Sequence, residues 1–215
     1  MGLFGIFGKQ STEPYKNEGI NQIYELLFCD NLEKYKSANE KSSIHPWNVL
    51  FAESSDEQLS ELINDDDTES RVKVLAYHKL KQKKDKKDLL GVIIEVSQPE
   101  GLDVLAAYSD GTARYINYSE KMIVWDTKTE ESERLIKKLF ESSQNVVSQI
   151  GPWEEARLKF PKKGNARLSF LVSDQLYFGE APMNVLSTDP MGESVLNDGA
   201  MLMQYLISQT EKDGK

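Results

Sequence analysis

The stretch that decides the fold is Leu89-Leu-Gly-Val-Ile-Ile-Glu-Val96. It is almost continuously apolar and rich in β-branched side chains, which is typical of a strand covered on both faces. Before it, between residues 20 and 84, apolar side chains recur every third or fourth position, as in amphipathic helices. The change of period near residue 88 therefore predicts that helices come first along the chain and that a sheet follows.

Further strands follow on the C-terminal side of this stretch. Two of them, 102–108 and 112–118, meet at Asp110-Gly111, which is a strong hairpin signal. A second tight turn leads into 121–125, so that 89–125 forms a four-strand meander. Beyond it, Ala166 to Val172 alternates apolar residues with Arg167 and Ser169 and is predicted to be a half-buried strand of a hairpin over 166–178.

Two long helices complete the prediction. The first follows a capping-box pattern at Thr127–Glu130 and ends at Gly151-Pro152, and the second carries apolar residues between 195 and 206. Runs of helices followed by runs of strands favour an α+β fold. We expect an antiparallel sheet of about six strands, the meander 89–125 plus the hairpin 166–178, packed by two long helices, with an N-terminal helical lobe.

The predicted domain organisation has three parts. Residues 1–19 form a flexible N-terminus, residues 20–208 form a single α+β domain, and residues 209–215 form a disordered tail. Within the domain, 20–84 is the helical lobe and 89–208 is the sheet with its helices. The first nine residues lack the basic region of a secretory signal. A frayed or packed terminus is favoured there over contact of Leu3, Phe4 and Phe7 with a membrane interface.

Composition excludes several classes of function. Among 215 residues there are 35 acids and 26 bases, a net charge of −9, which opposes non-specific binding to nucleic acid. No apolar run approaches the roughly 20 residues of a transmembrane helix. Cys29 is the single cysteine, so an intramolecular disulfide and a four-cysteine zinc site are impossible, and a reducing, cytoplasmic location is expected.

Charge is segregated around the fourth predicted helix. Eight acids and no base lie between Glu53 and Glu69, and eight bases with one acid lie between Arg71 and Lys87. The helix macrodipole explains this polarity better than a pair of binding patches does, and the Lys81–Lys87 cluster lacks interleaved aromatics. Asp65-Asp66-Asp67 lacks the spacing of a calcium loop, and His45 and His78 stand 33 positions apart, so we expect no metal site.

Catalytic motifs are absent. The chain has no Gly-x-Ser-x-Gly, no glycine-rich dinucleotide motif and no P-loop, so no cofactor is expected. The most unusual stretch, 173–192, combines turns, aromatics and acids. Its candidate binding residues are Asp174, Tyr177, Glu180 and Asp189. The acids either converge as a carboxylate cluster or serve turns and a helix cap, and the second interpretation is favoured.

Two segments, 110–117 and 166–182, resemble segments of bacterial proteins, and the resemblance implies no activity. The absence of catalytic motifs leads us to expect a soluble, non-enzymatic protein-interaction domain that binds a protein partner or a second copy of itself. The alternative is a small-molecule binding protein or a hydrolase with an acidic pocket around 174–189. An enzyme of that kind needs its carboxylates to approach one another in a concave pocket.

Overall fold

The computed structural model describes residues 13–36, 43–80 and 87–213. The N-terminal half is helical, with a 3₁₀ turn at Leu32–Tyr35 between the first two of its helices: α1 (Glu18–Leu26), α2 (Trp47–Phe51), α3 (Asp56–Asn64) and α4 (Ser70–Lys79). The other half holds six strands and three helices: β1 (Leu89–Gln98), β2 (Gly101–Tyr108), β3 (Ala113–Ile116), β4 (Met122–Trp125), α5 (Glu130–Val147), β5 (Asn165–Val172), β6 (Leu176–Pro182), α6 (Met183–Leu186) and α7 (Gly192–Asp213).

The six strands form one antiparallel sheet in the order β4-β3-β2-β1-β5-β6. β1 therefore lies in the middle, where Glu95 stands opposite Val104 of β2 on one side and Arg167 of β5 on the other. This sheet and the helices that precede it confirm the predicted α+β class with an N-terminal helical region.

The sheet is covered on both faces. The helical lobe packs on the face that carries Ile93, Val104 and Leu171, whereas α5 and α7 pack on the face that carries Ile94 and Phe170. Double coverage explains why 89–96 contains almost no polar residue. It also corrects the prediction for β5: Arg167 and Ser169 are 2% and 1% exposed, because the lobe covers the face that was expected to meet solvent.

Two predicted capping boxes occur at helix N-termini, one of them at a position two residues later than predicted. Ser55 and Gln58 form the capping box of α3 as predicted. The capping box of α5 joins Thr129 to Ser132, two residues later than the predicted Thr127–Glu130 pair. Three acids of the first turn, Glu130, Glu131 and Glu133, then lie where the helix dipole favours negative charge.

The boundaries of three predicted segments differ from the structure. The described part of the N-terminal segment is packed rather than free, since Tyr15 is buried and its hydroxyl donates to the carbonyl of Leu102 at 3.0 Å. β6 continues past 178 to Pro182, because Glu180 is held opposite Arg167. α7 continues to Asp213, past the boundary predicted at 208.

Some predictions fall outside the described residues: Leu3, Phe4 and Phe7, and all of the Lys81–Lys87 cluster except Lys87. None of the helices in the described ranges combines the length and the apolar character needed to cross a bilayer.

Candidate functional site

Asp174 and Tyr177 are brought together by the β5–β6 hairpin. One carboxylate oxygen of Asp174 accepts from the backbone N–H of Gln175 at 2.9 Å, and the other accepts from the hydroxyl of Tyr177 at 2.9 Å. Asp174 therefore stabilises the turn, as predicted.

Glu180 and Asp189 lie elsewhere. Glu180 accepts two hydrogen bonds from Arg167, at 2.7 and 3.0 Å, and lies about 20 Å of extended chain away from Asp174. Asp189 accepts from the backbone N–H groups of Met191 and Gly192 at the start of α7. The three acids thus serve a turn, an ion pair and a helix start, and the described residues contain no group of three or more acids, histidines or cysteines suited to a metal ion.

An open groove of about 750 Å³ lies beside Asp174. Its walls are the 153–159 segment, the start of β6 and the end of α4, and Glu25, Asp30 and Lys34 close it on the lobe side. Of the four predicted binding residues, Asp174 alone lines this groove. Acids and bases both face it, so no single ligand charge is selected.

Arg157 organises the wall of the groove. Its guanidinium donates to Glu25 at 2.5 Å and to Asp30 at 2.6 Å, and it stacks over the ring of Phe28 at 3.9 Å. Lys34 also pairs with Glu25. These contacts attach the 153–159 segment to α1. They also pair the Arg157 guanidinium with two carboxylates, so its charge is not available to an anionic ligand.

The most unusual electrostatic feature lies between the lobe and the sheet. Side chains of three adjacent strands form a row, Glu95, Arg167 and Glu180, on the face that the lobe covers. The hydroxyl of Tyr24, from α1, donates to Glu95 Oε1 at 2.6 Å. Glu95 Oε2 has no hydrogen-bond partner among the described residues, and Arg167 approaches it only to 3.7 Å.

The two acids of this row differ in ionisation. Burial raises the pKa of Glu95 to about 7, although Arg167 and the hydrogen bond from Tyr24 oppose the shift. At Glu180 burial also opposes ionisation, but hydrogen bonds from Asn165 and Arg167 prevail and lower the pKa below its ordinary value. Glu95 is fully buried, so it cannot meet a substrate in this conformation. Its sequence signal was a single acid inside a β-branched apolar run.

Cys29, the single cysteine, lies in an environment that does not activate a thiol. It is fully buried, its sulfur accepts from the hydroxyl of Tyr35 at 3.4 Å, and burial raises the pKa of the thiol to about 12. A thiol in that environment is not a nucleophile at neutral pH.

The two edges of the sheet differ in how they are covered. At the β6 edge, the backbone N–H of Trp153 donates to the outward carbonyl of Leu176 at 2.7 Å, and the Trp153 ring packs edge-on against Phe178. The 153–159 segment thus covers the beginning of this edge.

At the β4 edge, outward peptide groups have no such cover within the described ranges. The N–H of Asn117 donates to the carbonyl of Lys121, so these two residues form a hydrogen-bonded pair of the β3–β4 ladder. The next hydrogen-bonded pairs, two positions apart, are Tyr115 with Ile123 and Ala113 with Trp125. Because bonded and non-bonded pairs alternate in antiparallel sheets, the N–H and C=O groups of Met122 and Val124 point away from β3.

The side chains at this edge are also exposed. Tyr118, Met122 and Val124 are 49%, 37% and 50% exposed, and they make up three of the nine exposed large apolar side chains among the described residues. Ile123 and Trp125 point to the opposite face and pack against the core beneath α5 and α7. The edge therefore presents unpaired main-chain groups together with accessible apolar side chains.

Comparisons with protein-family models, with curated proteins and with solved structures found no match to this chain.

Proposed function

We propose that this chain is a non-enzymatic protein-binding module that adds an extended segment of another protein to the free edge of β4. One observation carries the proposal: Met122 and Val124 present outward peptide groups and exposed apolar side chains on the same strand. In strand addition, main-chain hydrogen bonds supply affinity and alternate side chains supply specificity.

The chemistry of the partner follows from the edge. A partner strand beside β4 places every second side chain next to Met122 and Val124, so those positions should be apolar. The net charge of −9 steers positively charged chains toward this protein. The expected partner segment alternates apolar and polar residues and is flanked by Lys or Arg. A cytoplasmic location is part of the proposal and is supported by the lone, reduced cysteine.

The binding test uses a labelled peptide of alternating Val and Thr with Lys at both ends, and a matched peptide with Glu at both ends. Amide NMR signals of the full chain report the site. We expect the Lys-flanked peptide to shift the amides of Met122 and Val124, and the Glu-flanked peptide to bind at least tenfold more weakly. The amides of Ile123 and Trp125 face β3, so their protection from exchange should change little.

A proline at residue 124 provides the decisive variant. Val124→Pro removes an outward N–H but no bond to β3, so the fold should persist while peptide affinity drops at least tenfold. Val185→Lys is the control, because Val185 on α6 is 51% exposed and lies away from β4. Equal loss in both variants, or no shift at residues 122 and 124, contradicts the proposal. Dimerisation of the free chain that Val124→Pro abolishes would instead identify a second copy as the occupant, and the proposal of a different partner would be wrong.

A second candidate is small-molecule binding in the groove beside Asp174. Its volume of about 750 Å³ lies within the range of ligand pockets. The hydrolase form of this alternative is not supported by the acids predicted for it, because Asp174, Glu180 and Asp189 do not converge. The test is ligand-detected NMR with a mixed set of small amines and small carboxylates, repeated on Ala156→Trp, which fills the groove. Binding that this variant abolishes supports the candidate, and binding that it leaves unchanged, or no binding at all, rejects it.

A further inference from the structure

The attachment of the helical lobe to the sheet includes a buried acid with incomplete partners. Glu95 is fully buried at the centre of β1, and one of its two carboxylate oxygens has no hydrogen-bond partner among the described residues. Its sole hydrogen bond in that set comes from the hydroxyl of Tyr24, which belongs to the lobe. A buried oxygen without a partner is costly when the group is ionised, because nothing replaces the lost water.

The neighbouring cation does not compensate for this burial. Arg167 directs two nitrogens to Glu180 and a third to the carbonyl of Leu158, at 3.2 Å. One arginine is thus shared between two acids, and its hydrogen bonds go to Glu180. Glu95 has only a longer electrostatic contact with it, in which Arg167 Nη1 lies 3.7 Å from Glu95 Oε2.

Five titratable or charged groups from the elements around Glu95 interact with it electrostatically. α1 contributes Tyr24, the segment before it contributes Tyr15, and the 148–164 connection contributes Arg157. β5 and β6 contribute Arg167 and Glu180. Of these five, the two arginines and the hydrogen bond from Tyr24 favour the charged carboxylate, and Glu180 disfavours it. Both tyrosines are uncharged at physiological pH.

We propose that Glu95 makes the attachment of the helical lobe to the sheet dependent on pH, so that the lobe opens more readily above neutral pH than in mild acid. Opening withdraws Tyr24 and admits water to the carboxylate, which removes the cost of ionisation. The apolar sheet face beneath the lobe, which includes Ile93 and Val104, becomes accessible in the open form.

Proton linkage determines the direction in which pH shifts the opening of the lobe. In the closed form burial raises the pKa of Glu95 from 4.5 to about 7, and in the open form the pKa returns toward 4.5. Between these values the closed form binds the proton more tightly, so raising the pH favours opening. The opening constant should rise by up to about 300-fold in total, from pH values well below 4.5 to pH values well above 7, where it levels off.

Amide hydrogen exchange of the full chain, corrected for intrinsic rates and followed from pH 5 to pH 8, measures this constant. We expect the opening constant of the α1 and α4 amides to rise with pH, while α5 amides remain better protected. Glu95→Gln replaces the carboxyl by an amide that does not ionise, so the rise of the opening constant with pH should disappear. A flat profile in the wild-type chain, or an unchanged slope in Glu95→Gln, overturns the proposal. One common opening constant for α1 and α5 also overturns it, because the lobe then does not open separately.

A second variant keeps the test informative if Glu95→Gln fails to fold. Glu180→Gln weakens the competition for Arg167, which becomes available to the Glu95 carboxylate. The rise in the opening constant should then occur at lower pH and be at least threefold smaller. An unchanged profile in Glu180→Gln contradicts the shared-arginine geometry and overturns the proposal.

Discussion

Gly199 of α7 lies directly against Ile94 of β1, so closely that a Cβ atom at residue 199 would overlap the Cδ1 atom of Ile94. Both residues lie in the layer between the sheet and the C-terminal helices, where Ile94 is buried. The absence of a side chain at 199 lets the helix backbone approach the centre of the sheet.

Gly199→Ala should destabilise the fold by about 1–3 kcal/mol, because overpacking outweighs the gain of about 1 kcal/mol in helix propensity. Urea unfolding measures the change. Adding Ile94→Val removes the overlapping methyl and should recover part of the loss. Gly179→Ala is the control, since nothing lies within 4 Å of a Cβ there. Equal stability of the two alanine variants would show that α7 has room to shift.

Arg157 should contribute to stability through both its charge and its stack on Phe28. We expect Arg157→Ala to cost about 1–2 kcal/mol, and Arg157→Met to cost less because it keeps the apolar stack. Thermal and urea unfolding measure the two variants. Arg134→Ala, which removes an exposed pair with Glu131, should leave the unfolding midpoint unchanged. A midpoint shift as large for Arg134→Ala as for Arg157→Ala contradicts this assignment.

Asp189 should act as a helix cap rather than as a site residue. Asp189→Ala removes the acceptor for the N–H groups of Met191 and Gly192 and should cost about 1 kcal/mol of folding free energy. Asp189→Ser restores an acceptor and should recover most of the loss in urea unfolding. If the alanine and serine variants are equally stable, capping is not the role of this carboxylate.

Asp110 should make the fold sensitive to acid. Although burial opposes ionisation, hydrogen bonds from the backbone N–H groups of Ser70 and Thr112 lower its pKa below the ordinary 3.8. A lowered pKa adds stability that is present above pH 3.8 and is lost as the pH falls through the folded value. Asp110→Asn should therefore cost about 1.5–3 kcal/mol at pH 7 and progressively less below pH 4.

Urea unfolding at pH 7, 5 and 3 checks this dependence on pH. Asp66→Asn is the control, because Asp66 is exposed, and it should leave the acid limb of the stability profile unchanged. A cost of Asp110→Asn that stays constant down to pH 3 would mean that the hydrogen bonds do not depend on the charge.

The sequence predicted the strands and helices well because their local signals are strong. The apolar run 89–96, the Asp110-Gly111 turn and the capping box at Ser55 each depend on nearby residues alone. The burial of Arg167 could not be seen in this way. Its alternation with apolar neighbours is the same whether the polar face meets water or a lobe whose last helix, α4, ends about 90 positions earlier in the chain.

The candidate binding residues were less predictable for the same reason. Asp174 and Asp189 were interpretable as turn and cap residues from their neighbours, and the structure confirms both roles. The free edge at β4 had no local signal, since which strand ends a sheet depends on the pairing of all six. The shared arginine between Glu95 and Glu180 depends on β5 lying between β1 and β6, which the order of strands along the chain does not reveal.

The position of β5 beside β1 also has a consequence for the order of events on the ribosome. Synthesis delivers the lobe and the first four strands before residues 165–172, so the nascent β1 keeps one side unpaired while about 70 further residues are added. At 5–20 residues per second, that interval lasts about 4–14 s, during which an apolar, β-branched strand can pair with other nascent chains. Translation speed through 98–165 therefore sets how long that side of β1 stays exposed to pairing with other chains.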